Sequence, residues 1–191
     1  MCEEDFVAMA EDVPGSYSGV LNAAHEIGHS MGASHDGSPP DPHIFGHPGS
    51  LKCNASSGHI MTYVDGGALR YRFSECSKDE IRHVLRQRGS RCWKIQAKEI
   101  YSVENIYPGR ILSAHQYCHM LYPKKEGVFS KTDTFRSRYC KLRCCAHLRN
   151  GSEICVVERM LDLMRCGYLK RCFQGVCRDK ADLERKSQGN Q

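Results

Sequence analysis

The run His25-Glu26-Ile27-Gly28-His29-Ser30-Met31-Gly32-Ala33-Ser34-His35-Asp36 decides how the rest of this chain is read. Histidines four apart on a helix share one face, so the imidazoles of His25 and His29 can reach a single ion at about 2.0 to 2.1 Å. His35 lies three residues beyond Gly32 and cannot come from the same straight helix. A glycine in a left-handed conformation would end the helix there and swing His35 back to the ion. Three protein ligands leave the fourth position open, whereas a structural zinc site closes it with Cys or His. Glu26 need not bind the ion, so it is the candidate general base, accepting a proton from the water that attacks a carbonyl and passing it to the leaving group. Five such fixed positions arise by chance in a chain this long with odds on the order of 1 in 100,000.

Outward from this run, Val20, Ala24, Ile27 and Met31 recur at helical spacing and predict a helix from about Ser18 to Met31 with one apolar face. The Pro- and Gly-rich stretch that follows, Gly37 to Pro42, predicts a loop, with irregular structure continuing past Ser57. Ser77-Lys78-Asp79-Glu80 has the form of a capping box, and Ile81, Val84 and Leu85 supply a buried stripe for a second helix ending near Arg88.

These motifs resemble the metzincin metalloproteases, and within them the reprolysin or adamalysin branch, marked by the Asp after the third ligand, here Asp36. The resemblance continues downstream. Gly58-His59-Ile60-Met61-Thr62-Tyr63 looks like the Met-turn, with Met61 beneath the metal site. Arg72-Phe73-Ser74-Glu75-Cys76-Ser77 looks like the lead-in to the family's last helix. The resemblance implies an α+β fold: residues 1–93 as the C-terminal part of a metzincin catalytic domain (zinc helix, Met-turn, last helix), lacking most of the sheet that precedes the zinc helix in relatives. It also implies a Zn2+ cofactor on His25, His29 and His35, Glu26 as catalytic base, and the disulfides Cys2–Cys92 and Cys53–Cys76. Tyr63 departs from the proline that many relatives carry two residues after the methionine.

Beyond Cys92-Trp93, the pattern around Cys118, Cys140, Cys144-Cys145, Cys166, Cys172 and Cys177 resembles the disintegrin-like or cysteine-rich module of thrombospondin-repeat metalloproteases, with an overall likeness to tick salivary metalloproteases. This places a small, disulfide-rich, mostly irregular module at 94–180 and a flexible tail at 181–191. No Arg-Gly-Asp triplet is present.

Composition agrees with an extracellular setting. Twelve cysteines in 191 residues are too many for a reducing cytosol. Asn54-Ala55-Ser56 and Asn150-Gly151-Ser152 are candidate glycosylation sequons. No run approaches a membrane span. The start, Met1-Cys2-Glu3-Glu4-Asp5, is acidic and not followed by a signal peptide, which favours an internal methionine of a longer secreted precursor. Charge divides the chain near Trp93, net −4 before and net +9 from Lys94 onward, which suggests two modules. Arg136, Arg138, Lys141, Arg143 and Arg149 are candidates for a basic patch facing matrix or acidic glycans, with an ordinary solvated face as the alternative. His43 and His47 flank prolines in a loop and are candidates for a second metal, but the favoured reading for them, and for His59, His115, His119 and His147, is solvated histidines.

Two functions from different classes follow. The first is a zinc endopeptidase cleaving extracellular proteins of matrix or fibrin type. The second is a catalytically inactive secreted cysteine-rich binding module. A nucleic-acid partner finds no motif.

Overall fold

A computed structural model describes residues 7–92 and 107–183. Cys2, and with it the expected Cys2–Cys92 bridge, lies outside the described residues, as do Trp93 and most of the 181–191 tail. The chain divides into two compact units, Met1–Val13 with Ser18–Ser102 and Pro14–Tyr17 with Val103–Gln191.

The first unit is built on two helices, α1 (Gly19–Ser30) and α2 (Glu75–Arg88). Ser18 makes no side-chain cap to α1; the Asp12 carboxylate accepts from Gly19 N at 2.7 Å instead, placing negative charge at the positive end of the helix. The stripe expected on α1 is not its inner face. Val20 is 70% and Ile27 51% exposed, and Gly28 is the buried residue of the helix. The reason is close packing. A Cβ at Gly28 would stand 2.5 Å from Met61 Sδ and 2.8 Å from Phe73 Cε1, so the side of α1 that lies nearest its neighbours is one where no side chain fits.

Between Gly32 and Gly66 the described chain is irregular, and a 3-10 turn at Gly67–Tyr71 leads toward α2. Here the capping expectation needs correction. Helix α2 begins three residues early, capped by Ser74, whose Oγ accepts from Ser77 N at 3.0 Å. Ser77 and Glu80, the two ends of the expected capping box, are both fully buried inside the helix and serve other partners. Val84 is buried and packs against Gly32, while Cys53–Cys76 ties the preceding loop to the first turn of α2. Closing a loop of that size, 23 residues apart in sequence, is worth about 3 kcal/mol in the chain-entropy treatment.

The second unit contains α3 (Pro108–Ile111), α4 (Ala114–Leu121), β1 (Phe129–Lys131), α5 (Thr134–Arg138), β2 (Lys141–His147), β3 (Glu153–Arg159), β4 (Arg165–Gly167), β5 (Lys170–Phe173) and β6 (Val176–Asp179). Its strands form two antiparallel three-stranded sheets, β1-β2-β3 and β4-β5-β6. The chain is more regular here than its cysteine-broken sequence suggests, because cysteines alternate with core residues along the strands. On β2, Leu142, Cys144 and Ala146 point into a core with Tyr117, Val128, Met160, Met164 and Cys172. Cys118–Cys144 staples α4 to β2, Cys145–Cys155 joins residues directly opposite in the β2–β3 register, Cys140–Cys172 links the two sheets, and Cys166–Cys177 joins β4 to β6. Such bridges supplement a core too small to hold the unit alone.

One histidine expected to be solvated is placed otherwise. His47 is buried, whereas His115 and His119 are exposed on α4.

Candidate metal centre

His25 and His29 project from α1, and Gly32, at φ +95°, turns the chain after the helix so that His35 returns to them. The three Nε2 atoms form a triangle with edges of 3.0, 3.1 and 3.1 Å. Such edges subtend roughly 95° at an ion about 2.0 to 2.1 Å from each nitrogen, so one ion can be shared with a position left open.

The tautomers make the same point chemically. His25 Nδ1 lies 2.7 Å from Ile60 O and His29 Nδ1 lies 2.8 Å from Ala33 O. A carbonyl can only accept, so both Nδ1 atoms carry the proton and both Nε2 atoms of the neutral rings present bare lone pairs to each other. Two lone pairs 3.1 Å apart cannot form a hydrogen bond, and a cation between them removes the repulsion. At His35, burial is the main influence lowering its pKa below the ordinary 6.5, and the nearness of His29 and His25 further disfavours a proton shared among the three rings. Loss of the proton leaves the neutral ring that ligation requires.

The three histidines are held from beneath by a short segment. Ile60 O receives His25, Met61 O accepts from Asp36 N at 3.0 Å, and the Met61 side chain, fully buried, fills the space under Gly28. Residues 60 and 61 therefore orient both His25 and the residue following His35. Asp36 is buried; its Oδ1 accepts from Ser74 Oγ at 2.6 Å and Ser77 Oγ at 3.2 Å, which fastens the end of the ligand run to the N-terminus of α2. That terminus favours a carboxylate through the helix dipole.

A second buried network runs beside it. Ser34 donates its N–H and hydroxyl to the Glu80 carboxylate, and Ser50 Oγ donates to His35 O at 2.7 Å. His47 reaches Gly32 O at 2.9 Å through Nε2, so its Nε2 carries the proton and its Nδ1 accepts from Asp41 N at 3.0 Å. Burial raises the Glu80 carboxyl above its ordinary 4.5, partly opposed by the Ser34 hydrogen bonds and by His47. Sequence reasoning missed Ser34, Ser50, His47 and Glu80. The one available signal was a Glu followed by the stripe Ile81, Val84 and Leu85, and it was consumed by the capping box.

Glu26 lines a cleft of about 420 Å³ together with His25, Leu21, Asn22, His59, Thr62, Tyr63 and Arg70 among others. The Tyr63 ring, 84% exposed, lies with its centroid 4.8 Å from that of His35 and 5.6 Å from that of His25, forming one wall above the ligands. A carboxylate, an open metal position and a walled cleft are the parts needed for hydrolysis of a carbonyl held in that cleft.

Residues 10–87 match the profile of the reprolysin-like metallo-peptidase family M12B. Over 175 residues the chain is 35% identical to a silkworm (Bombyx mori) protein described as like "A disintegrin and metalloproteinase with thrombospondin motifs", covering 90% of this chain and 23% of that one. It is 29% identical over 163 residues to "A disintegrin and metalloproteinase with thrombospondin motifs 5" of Bos taurus, covering 84% of this chain and 73% of that sequence. A venom metalloproteinase, antarease-like, of Tityus fasciolatus is 36% identical over 70 residues, 36% of this chain and 29% of that protein. The chain thus spans under a quarter of the silkworm relative's length.

Proposed function

From its membership of the reprolysin-like metzincin metallopeptidases, we propose that this chain is a zinc endopeptidase that hydrolyses peptide bonds of extracellular proteins, with His25, His29 and His35 as metal ligands and Glu26 as general base. The observation that carries this proposal is the Nε2 triangle of two fixed tautomers and a third histidine, beside a carboxylate in the same cleft. A bound zinc ion would supply Lewis-acid polarisation of the scissile carbonyl and a lowered water pKa. The chain's own residues do the rest. Ile60 O and Ala33 O hold the rings of His25 and His29 in their ligating tautomer. Glu26 accepts the proton of the attacking water and delivers it to the departing amine, and Tyr63 with Thr62 bounds the space in which the peptide lies.

We assign residues 1–93 to the partial catalytic domain and 94–180 to the disintegrin-like or cysteine-rich module, whose excess of basic residues suits acidic matrix components. Within the basic run Arg136 is engaged by Asp133 at 2.7 Å, leaving exposed Arg138 and Arg149 as its freest charges. Asn54 and Asn150 are exposed on turns, accessible to glycosylation. No helix among the described residues is long and apolar enough to cross a membrane. Secretion and matrix- or fibrin-type substrates belong to this proposal.

The test is Glu26→Ala. Glu26 is not a ligand, so zinc content is expected to be unchanged while turnover of a gelatin or fibrin substrate falls by about 100 to 10,000-fold, the range for general acid–base catalysis. Near-normal turnover in the variant contradicts the assignment. A zinc-loaded parent chain that cleaves nothing yet binds matrix favours the binding-module alternative.

A further inference from the structure

In the second unit, His115 and His119 stand four residues apart on α4, and their Nε2 atoms are 3.2 Å from one another, with ring centroids 4.6 Å apart and planes at 79°. From this geometry we propose a second metal site, a two-histidine chelate for a divalent first-row ion with Cu2+ bound most tightly, independent of the His25, His29 and His35 centre.

The argument starts from the helix. Positions i and i+4 lie one turn apart on the same face, so two imidazoles can close on one ion. Nitrogens 3.2 Å apart subtend roughly 100° at an ion about 2.0 to 2.1 Å from each, between the 90° of a square-planar and the 109° of a tetrahedral ion. Imidazole suits copper, zinc and nickel, and within that set the Irving–Williams order places Cu2+ first.

The helix is also a prepared platform. Tyr117 and Cys118 of the same helix are buried, Cys118 is bonded to Cys144 on β2, and Ser113 with Gln116 forms a reciprocal capping box at its start. The face carrying His115 and His119 is exposed. Little ordering of the backbone remains to be done on binding, which favours affinity. No other His, Cys, Asp or Glu among the described residues joins the pair to make a three-ligand cluster. The remaining positions of such an ion are therefore open to water or to a small ligand.

The test counts Cu2+ bound to the full chain by equilibrium dialysis and reads the ligands by electron paramagnetic resonance. In the double variant His25→Ala/His29→Ala, which leaves a single imidazole at the first centre, one Cu2+ per chain with two imidazole nitrogens is expected. Adding His115→Ala or His119→Ala is expected to abolish that signal, and since both side chains are exposed, the far-ultraviolet circular dichroism should not change. In the otherwise unaltered chain, His119→Ala should leave the first centre loaded with zinc. If the His115 and His119 variants keep the two-nitrogen copper signal, the site lies elsewhere on the chain and the proposal is overturned. If His25→Ala/His29→Ala binds no copper through imidazole, the pair is a hydrogen-bonded contact only, and the proposal is likewise overturned.

Discussion

Single side chains set the geometry of the three-histidine cluster, and several of the decisive ones lie outside it. Glu80 is fully buried, yet it holds Ser34, the residue just before His35. Burial raises its folded pKa above the ordinary 4.5. A raised carboxyl pKa contributes stability that is fully present below the unfolded value and is lost as pH rises through the folded one. The parent chain should therefore lose unfolding free energy relative to Glu80→Gln as the pH rises from below 4.5 through the folded value. Urea midpoints for both proteins across that window check the sign; parallel pH profiles would show that Glu80 does not titrate as placed here.

At the scale of elements, α2 is as much a part of the site as α1. Ser74 caps α2 and donates to Asp36, so one hydroxyl joins the helix start to the end of the ligand run. Ser74→Ala should cost about 1 kcal/mol for the cap, with roughly 1 to 3 kcal/mol more for the buried Asp36 oxygen left short of a donor. Chemical denaturation measures it, and a loss below half a kcal/mol, on the order of a surface change, would separate the cap from the site.

Both helices were legible in the sequence because periodicity and the ligand spacing are local. The convergence of His25, His29 and His35 was legible in their spacing, and the place of Met61 in the family resemblance. The true cap and the inner face of α1 were not, because each depends on what packs from elsewhere: Asp36 draws Ser74 and Ser77 inward, and Met61 with Phe73 selects glycine where the pattern favoured a larger residue. His47 and Glu80 were hidden for the same reason, since a loop histidine and a helix glutamate carry no local sign of burial.

Across the whole molecule the two units are held by different means. Among the described residues, the buried side chains of the first are largely polar, with Ala33, Met61, Cys76 and Val84 as its buried apolar members, while the second has a continuous apolar core crossed by four disulfides. With little apolar burial to draw on, the first unit should depend strongly on Cys53–Cys76. Replacing both cysteines by Ser should lower its stability by about 3 kcal/mol, and thermal unfolding followed at the first unit should show it; an unchanged midpoint would mean that the polar network suffices.

The claim that His25, His29 and His35 together hold one catalytic zinc is tested most directly by zinc K-edge X-ray absorption on the chain loaded with one equivalent of the metal. The expected spectrum has three imidazole nitrogens and one further light-atom ligand at about 2.0 to 2.1 Å, and His29→Ala should abolish it. A sulfur shell, or an identical spectrum from His29→Ala, would contradict the account.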